Sequence, residues 1–598
     1  MKRFVMLGVA AMAVAAFVTC SSEESATNGG GGEGAVHFGG GSAGWTQGGG
    51  NPQGGCGANC QAQGTGVGTD TPFDPATHDS SGVGTDPDGA LVLDQSQTGI
   101  PSIIWIANTG AGTVTKIDTT TAAVLGQYSI GGSDPSRTSV NSLGDVFVGD
   151  RAGGRLIKIS SAGPGCPDTN GDSVITTSAG FGDVLAWGQD DCMLWAVDVP
   201  NPPMVRGVAA QDVEVADPQP DDPHHTIINH YVWTGGTNHR TAYKYAGDDG
   251  TLLIQTPSPT TIYGLALDGR GQLWASGNVD PDGPSLGRID TTKCVDQATC
   301  DAAEICYTTC DLSGNCVCTQ CSGSCDDAIK ERISVPNGVY GITVDYKQRV
   351  WLGGTNIKRY NPLAPAAQRY AEVPASVFIH GITADAKGWV WGADGGTNVV
   401  RVNGDTLEWT TIAGVPSKGM AVDKDGKIWT ASYYDGASYI TPGPSNTLND
   451  YTTQVPAGPQ TGANLGFCYT YSDMTGQQLA LAANDPGYYR QVFDGCDTGA
   501  TTWISLYWTV ETPPNTSVKF SVRTADTEAG LASATWYVAA HIPADVSPAS
   551  LADALQGVQM MRFLEVEVQL QGAVGLDGLV SPRVLNFGVT HSCNDQPT

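Results

Sequence analysis

The sequence predicts an all-β protein: a seven-bladed β-propeller followed by a C-terminal β-sandwich. Three observations carry this. A motif recurs as Gly264-Leu-Ala-Leu-Asp268 with Trp274, Gly341-Ile-Thr-Val-Asp345 with Trp351, Gly381-Ile-Thr-Ala-Asp385 with Trp391, and Gly419-Met-Ala-Val-Asp423 with Trp429. Each copy is an apolar strand, an Asp turn and a second strand carrying Trp, in a unit of about 40 residues, the period of a propeller blade. Gly 79 and Pro 34, with no long helical periodicity, fit short strands joined by many turns. From Gly462 the period disappears, and runs such as Thr502 to Val510 and Phe563 to Leu570 alternate at period two, as half-buried antiparallel strands do.

The chain is taken in order. Residues 1–20 read as an export signal: Lys2 and Arg3 are basic, and Phe4 to Val18 is an apolar run too short to span a bilayer comfortably. The stretch ending at Cys20 resembles a bacterial lipobox, which makes Cys20 the expected lipidation site; the alternative is an ordinary secretory signal containing a Cys. The expected location is the outer membrane or the extracellular side, with lipid as the only membrane contact. Residues 21–85 are expected to be a flexible Gly-rich tether, because so little apolar surface cannot offset the entropy of ordering. Cys56 and Cys60 are candidates for a small closed loop within it.

The propeller is expected over 86–458. Working back from the clear copies, Trp233, Phe147 and Trp105 align with the repeated Trp, giving seven units. Insertions at 161–200 and 292–327 account for two long spacings. Trp195 is assigned to an outer strand of the second unit. The repeated Trp side chains are expected as wedges between blades. The sandwich is expected over 459–598, with a short helix near Pro548 to Gln556. Trp503 and Trp508 there are expected in the core, the alternative being a stacking surface for a glycan.

At 598 residues, more than one core is needed. Sixty acidic residues against 30 basic ones give a net charge of −30, which would repel a phosphate backbone and excludes nucleic acid as a natural partner. Sixteen Cys in an exported chain imply disulfides, and setting Cys20 aside leaves an odd number, so one thiol is left over.

Several clusters are candidates for chemistry. Asp168, Asn170 and Asp172 alternate as oxygen ligands, with the Val174 carbonyl next, as at the start of a Ca²⁺ loop. Ser173 stands where Gly usually permits the turn. Ala179 stands where an acid usually closes the site, and Asp183 is its candidate replacement. The other reading is a polar turn stapled by Cys166 and Cys192. Cys294, Cys300, Cys306, Cys310, Cys316, Cys318, Cys321 and Cys325 are expected to form four disulfides; a zinc site on the last four is the alternative. Cys468 is expected to pair with Cys496, leaving Cys593 unassigned. His224, His225, His230 and His239 match no metal spacing.

The repeat Gly-Ile-Thr-x-Asp-x-x-Gly-x-Val-Trp resembles the blades of virginiamycin B lyase and, more loosely, NHL-type propellers. That resemblance implies catalysis by His and Glu near the Trp strand ends, with Mg²⁺. Those ends read Trp391-Gly-Ala-Asp394, Trp351-Leu-Gly-Gly354, Trp429-Thr-Ala-Ser432 and Trp274-Ala-Ser-Gly277, without Glu. Only His380 matches a family His position, so it is the one catalytic candidate. The expected function is therefore a lipid-anchored, monomeric binding scaffold for a protein or glycan. The alternative is a divalent-metal lyase or lactonase-type hydrolase in the propeller's central mouth.

Overall fold

The structure is a computed structural model. It describes residues 60–93, 101–200, 204–216, 226–433, 436–454 and 468–594, apart from 471, 479, 481–486, 499, 515 and 576–577. The expected export signal, Cys20 and Cys56 lie outside the described residues. The fold is all-β and of propeller type. Among the described residues, seven sheets follow one another between Ile103 and Gln454, antiparallel except for one parallel pair at the edge of the fourth. The first holds Ile103–Asn108, Thr113–Asp118 and Val124–Ser129, and the second Pro135–Val140, Val146–Asp150, Arg155–Ile159 and Met193–Asp198. The third holds Val205–Ala216, Thr226–Gly236, Thr241–Ala246 and Leu252–Pro257. The fourth is built on Gly264–Leu267, Gln272–Gly277, Ser285–Asp290 and Lys330–Ser334, and the fifth on Val339–Val344, Val350–Tyr360 and Tyr370–Ile379. The sixth holds Ile382–Ala384, Trp389–Ala393, Asn398–Asn403 and Trp409–Ala413, and the seventh Gly419–Val422, Ile428–Ala431, Ala437–Pro442 and Tyr451–Gln454. From the second sheet to the seventh, the first strands of successive sheets lie against one another.

The repeated Asp and Trp explain each other. In the sixth sheet one carboxylate oxygen of Asp385 accepts the amides of Lys387 and Trp389, which closes the turn. The other accepts the Trp391 indole N–H at 2.9 Å. Asp268 with Trp274, Asp345 with Trp351 and Asp423 with Trp429 repeat the indole bond, and Gln211 replaces Asp for Trp233. Each indole thus enters the core with its polar atom satisfied. Trp105, Trp233, Trp274, Trp351, Trp391 and Trp429 are fully buried, as is Phe147 in the equivalent place.

The first sheet has three strands of its own, and the chain returns to it after the seventh sheet. Trp105 N donates to Met474 O at 2.9 Å, and Tyr469 N donates to Thr109 Oγ1. Met474 and Cys468 are buried with Ile104, Ile106, Trp429 and Ala431, between the first and last sheets. Thr475 Oγ1 donates to Val422 O of the seventh sheet, and Thr138 N of the second donates to Ser472 Oγ. The segment 468–476 therefore takes the innermost place of the first sheet and joins the sheets on either side of it. These residues were expected in the second domain, and they belong to the ring.

The second domain is built on two large sheets around one apolar cluster that includes Tyr489, Trp503, Phe520, Val566 and Phe587, with a two-stranded ribbon of Ala573–Gly575 and Gly578–Val580 beside them in sequence. Trp503 is fully buried and Trp508 nearly so, which removes them as an exposed stacking surface. The expected short helix is present as Leu551–Ala554, capped by Ser550. The expected tether needs correction. Cys60–Gly66 pairs with Arg583–Asn594 along its whole length. Ser80–Ser81 pairs with Gly487–Asp494, and Leu91 with Val584. A polar, Gly-rich strand carries no apolar alternation of its own, yet its backbone groups complete the ladder of a stronger strand. Residues 60–93 and 487–594 thus build this domain together, and the propeller lies between them in sequence.

Four disulfides join Cys294 to Cys300, Cys306 to Cys321, Cys310 to Cys316 and Cys318 to Cys325. They hold a hairpin, Ile305–Cys310 with Cys316–Gln320, that extends the outer edge of the fourth sheet alongside Lys330–Ser334. Cys166 pairs with Cys192. The expected pairing of Cys468 with Cys496 is wrong. Cys496 is bonded to Cys593, 97 residues on, across the end of the two-sheet domain. Cys468 is a thiol buried inside the ring; it donates to Asn108 Oδ1, and burial pushes its pKa up to about 12. It is the thiol left over by the odd count.

Candidate functional site at the propeller hub

In five sheets the innermost strand opens with one side chain followed by Gly: Arg206-Gly207, Tyr263-Gly264, Tyr340-Gly341, His380-Gly381 and Lys418-Gly419. The glycines are there because strands crowd as they near the axis. A Cβ on Gly341 would sit 2.1 Å from the His380 carbonyl oxygen, and one on Gly381 would sit 2.7 Å from that of Lys418. The five preceding side chains therefore share one register position and meet at one end of the hub. Arg137 joins them from the second sheet, and Tyr469 from the closing segment.

Tyr469 is the centre of this cluster. Its hydroxyl lies 3.1 Å from that of Tyr263 and 2.5 Å from that of Tyr340. Arg206 Nη2 donates to Tyr263 at 2.9 Å and to Tyr469 at 3.4 Å. Around the Tyr469 ring stand Lys418 Nζ at 4.9 Å and the guanidinium carbons of Arg206, Arg151 and Arg137 at 5.1, 5.1 and 5.8 Å. Lys418 also faces Tyr433 and Tyr340. Arg151 is paired with Asp134. Phe378, 43% exposed, stands edge-on to Tyr340 and His380 at the rim.

The electrostatics follow from burial. Arg137, Arg206 and Lys418 are all buried. Desolvation, then the charges of Arg137 and Arg206, bring Lys418 down to about 7, against an opposing pull from Tyr469. Desolvation, then Lys418, brings His380 down to about 4, so its imidazole is neutral at pH 7. Its Nδ1 lies 3.0 Å from the Asp394 carbonyl, which can only accept, so Nδ1 carries the proton and Nε2 the lone pair. Burial raises Tyr263 and Tyr340, which stay protonated and can donate. Fixed cations and neutral donors against aromatic rings form a setting for an anion, and their burial strengthens that preference.

The other sequence candidates lie elsewhere. Asp168 accepts the amides of Gly171 and Ser173, Asn170 that of Asp172, and Asp172 that of Val174. Ser173 has φ +67, the left-handed turn usually left to Gly. Asp183 accepts Ala179 N and is not drawn to Asp168. His230 is bonded to Asp212, while His224 and His225 lie outside the described residues. Among the described residues, the groups able to hold a metal are Cys306, Cys321 and Cys325, and Cys496, His591 and Cys593, and the sulfurs of both are in disulfides. His380 belongs to neither; around it stand Tyr340, Phe378, Lys418 and Asp394.

Neither a family model nor a curated protein matches the chain. Among solved structures it is similar to a streptogramin B lyase, at 16% identity over 62% of this chain and 95% of that one, with a TM-score of 0.35. It is similar to a catalytically inactive virginiamycin B lyase from Staphylococcus aureus crystallised with quinupristin, at 14% identity over 62% of this chain and 96% of that one, with a TM-score of 0.36. The WD40 β-propeller domain of Doa1 has 12% identity over 60% of this chain and 90% of that one, with a TM-score of 0.34. The propeller reading rests on the strand pairing described above.

Proposed function

We propose that this protein is an exported binding scaffold whose propeller hub captures a carboxylate presented by a protein or glycan. The supporting observation is the convergence of Arg137, Arg206 and Lys418 on Tyr469 in a chain of net charge −30. A local excess of positive charge on an acidic protein selects anions at that place. Anchorage through Cys20 would hold the scaffold at the outer membrane as a monomer. The metal-dependent lyase or lactonase reading is disfavoured by the hub's donor set, because the cation acting on His380 is the buried Lys418, and a positive side chain there repels a divalent ion. The test is a thermal-shift screen of matched pairs, polygalacturonate against its methyl ester and a peptide acid against its amide. The acid member should stabilise the wild type and leave Arg206→Ala unmoved. Equal shifts from both members would contradict the reading.

A Ca²⁺ ion on Asp168, Asn170, Asp172 and the Val174 carbonyl is a second proposal, supported by the left-handed Ser173. It expects Ca²⁺ to raise the melting temperature and EGTA to reverse the rise; a melting curve indifferent to both would rule it out.

A further inference from the structure

We infer that a cleft at the sixth and seventh sheets binds one neutral sugar ring. It is separate from the hub: His380 precedes the strand Ile382–Ala384, and the cleft begins beyond the other end of that strand. It measures about 270 Å³, and the side chains lining it are Lys387, Trp389, Asn403, Asp405, Ser445 and Asn446. Contacts already in place fix its walls. Trp389 and Asn403 stand opposite each other on adjacent strands, and Gly404 N donates to Gly388 O at 2.9 Å. The Trp389 indole N–H donates to Asn446 Oδ1 at 2.6 Å, across to the turn between Ala437–Pro442 and Tyr451–Gln454. Asp450 accepts the Ser445 amide and hydroxyl, which holds that turn. The arrangement departs from the repeat. Two residues before the repeated Trp, the fourth, fifth and seventh sheets carry Gln272, Arg349 and Lys427, bonded to Arg288, Asp345 and the Thr119 carbonyl. The sixth carries Trp389 there, 4% exposed.

The unused hydrogen-bonding capacity of the cleft defines its ligand. Asn403 Oδ1 accepts the amides of Asp405 and Thr406, while its Nδ2 has no partner among the described residues. The half-buried Lys387 ammonium has no hydrogen-bond partner there either. As a carboxylate Asp405 offers about four acceptor sites, and Lys347 and Arg349 fill three of them. The cleft therefore presents two free donor groups and one free acceptor. Hydroxyls, which both accept and donate, complement that set. A charged ligand is not called for, because each of these cations faces a carboxylate. Lys347 and Arg349 face Asp405, Arg401 faces Asp385 and Asp450, and Lys387 faces Asp450. Such pairing leaves little field to select an ion. With its N–H already used, the Trp389 indole adds apolar surface for the C–H side of a ring. Pockets for drug-sized ligands run to about 300–1,000 Å³, so this cleft sits at the single-ring end of the scale.

The experiment is saturation-transfer NMR with a binding titration, on the full chain, using the methyl glycosides of glucose, galactose and mannose. At least one should bind with a Kd of about 10 mM or tighter. The three should differ, because one acceptor in a fixed place reads one hydroxyl. Lys387→Ala and Asn403→Asp should each weaken binding about tenfold. The Lys387 side chain makes no hydrogen bond, and Asn403→Asp keeps the acceptor for both turn amides, so melting temperatures should stay unchanged. Arg206→Ala, at the hub, should leave sugar binding as it is. Failure of all three glycosides to bind the wild type would overturn the inference, and this readout needs no variant to fold. Equal binding of the three, binding that both cleft variants leave intact, or binding that Arg206→Ala abolishes would overturn it as well. Lys387-dependent binding that favours the glucuronide over the glucoside would overturn the assignment of a neutral ligand.

Discussion

The Lys418 ammonium lies 4.9 Å from the centre of the Tyr469 ring, although Lys418 opens the last sheet and Tyr469 belongs to the segment that closes the first. The chemistry of the hub therefore depends on the closure of the ring. Removing the Tyr469 hydroxyl takes a partner from Tyr263, Tyr340 and Arg206 together. Tyr469→Phe should cost about 1–3 kcal/mol, the range for a buried polar network losing a member. Denaturant unfolding of the variant checks this, and an unchanged midpoint would mean that the phenol is a bystander.

Carboxylate binding should weaken as pH rises through about 7. Lys418 is charged below that value and neutral above it, whereas Arg137 and Arg206 keep their charge. The same depressed pKa has a sign for stability. Between about 7 and the ordinary lysine value near 10.4, the unfolded chain binds more protons, so Lys418 makes folding more favourable as pH rises through that window. Titrations at pH 6 and pH 8.5 on wild type and Lys418→Met should show the pH dependence of affinity only in the wild type.

Asp385→Ala should destabilise the propeller by about 2–4 kcal/mol, because two turn amides and the Trp391 indole lose their acceptor at once. Asp88→Ala, at a residue exposed to solvent, is the control and should stay within about 0.5 kcal/mol. Equal effects would remove the Asp–Trp pair from the explanation of the repeat.

How far the sequence could be read depends on which force leaves a periodic trace. Asp268, Asp345, Asp385 and Asp423 recur six residues before Trp, because these four sheets solve the same turn and the same wedge. The blade motif was legible for that reason. The hub was half legible. His380 stood out by resemblance, but Tyr263, Tyr340 and Lys418 occupy its register position before the same Gly. Position and not residue type is repeated there, so a search for one chemistry passed over them. The strand Cys60–Gly66 and the segment 468–476 were not legible, since backbone pairing with distant partners leaves little pattern in a polar, Gly-rich stretch. The Cys496–Cys593 bond was missed because proximity in sequence favoured Cys468.

Deleting residues 21–55, which keeps Cys60 and its candidate partner Cys56, should leave the melting temperature nearly unchanged. Deleting 21–93 should lower it sharply or prevent folding, because the partners of Arg583–Asn594 and Gly487–Asp494 are lost. Equal tolerance of both deletions would restore the longer tether.

Alkylation without reductant should leave Cys468 unlabelled in the folded protein and label it after unfolding, since its thiol is buried and its pKa is raised. Peptide mapping should recover Cys496 linked to Cys593. A Cys468–Cys496 peptide would overturn the assignment.

The most direct measurement is a calorimetric titration of citrate into wild type and Arg206→Ala at low and high salt. The account expects a single site with Kd of about 1 mM or tighter in the wild type, weakened by salt and lost in the variant. Binding of equal strength to both proteins, or none to either, would contradict an anion-selective hub.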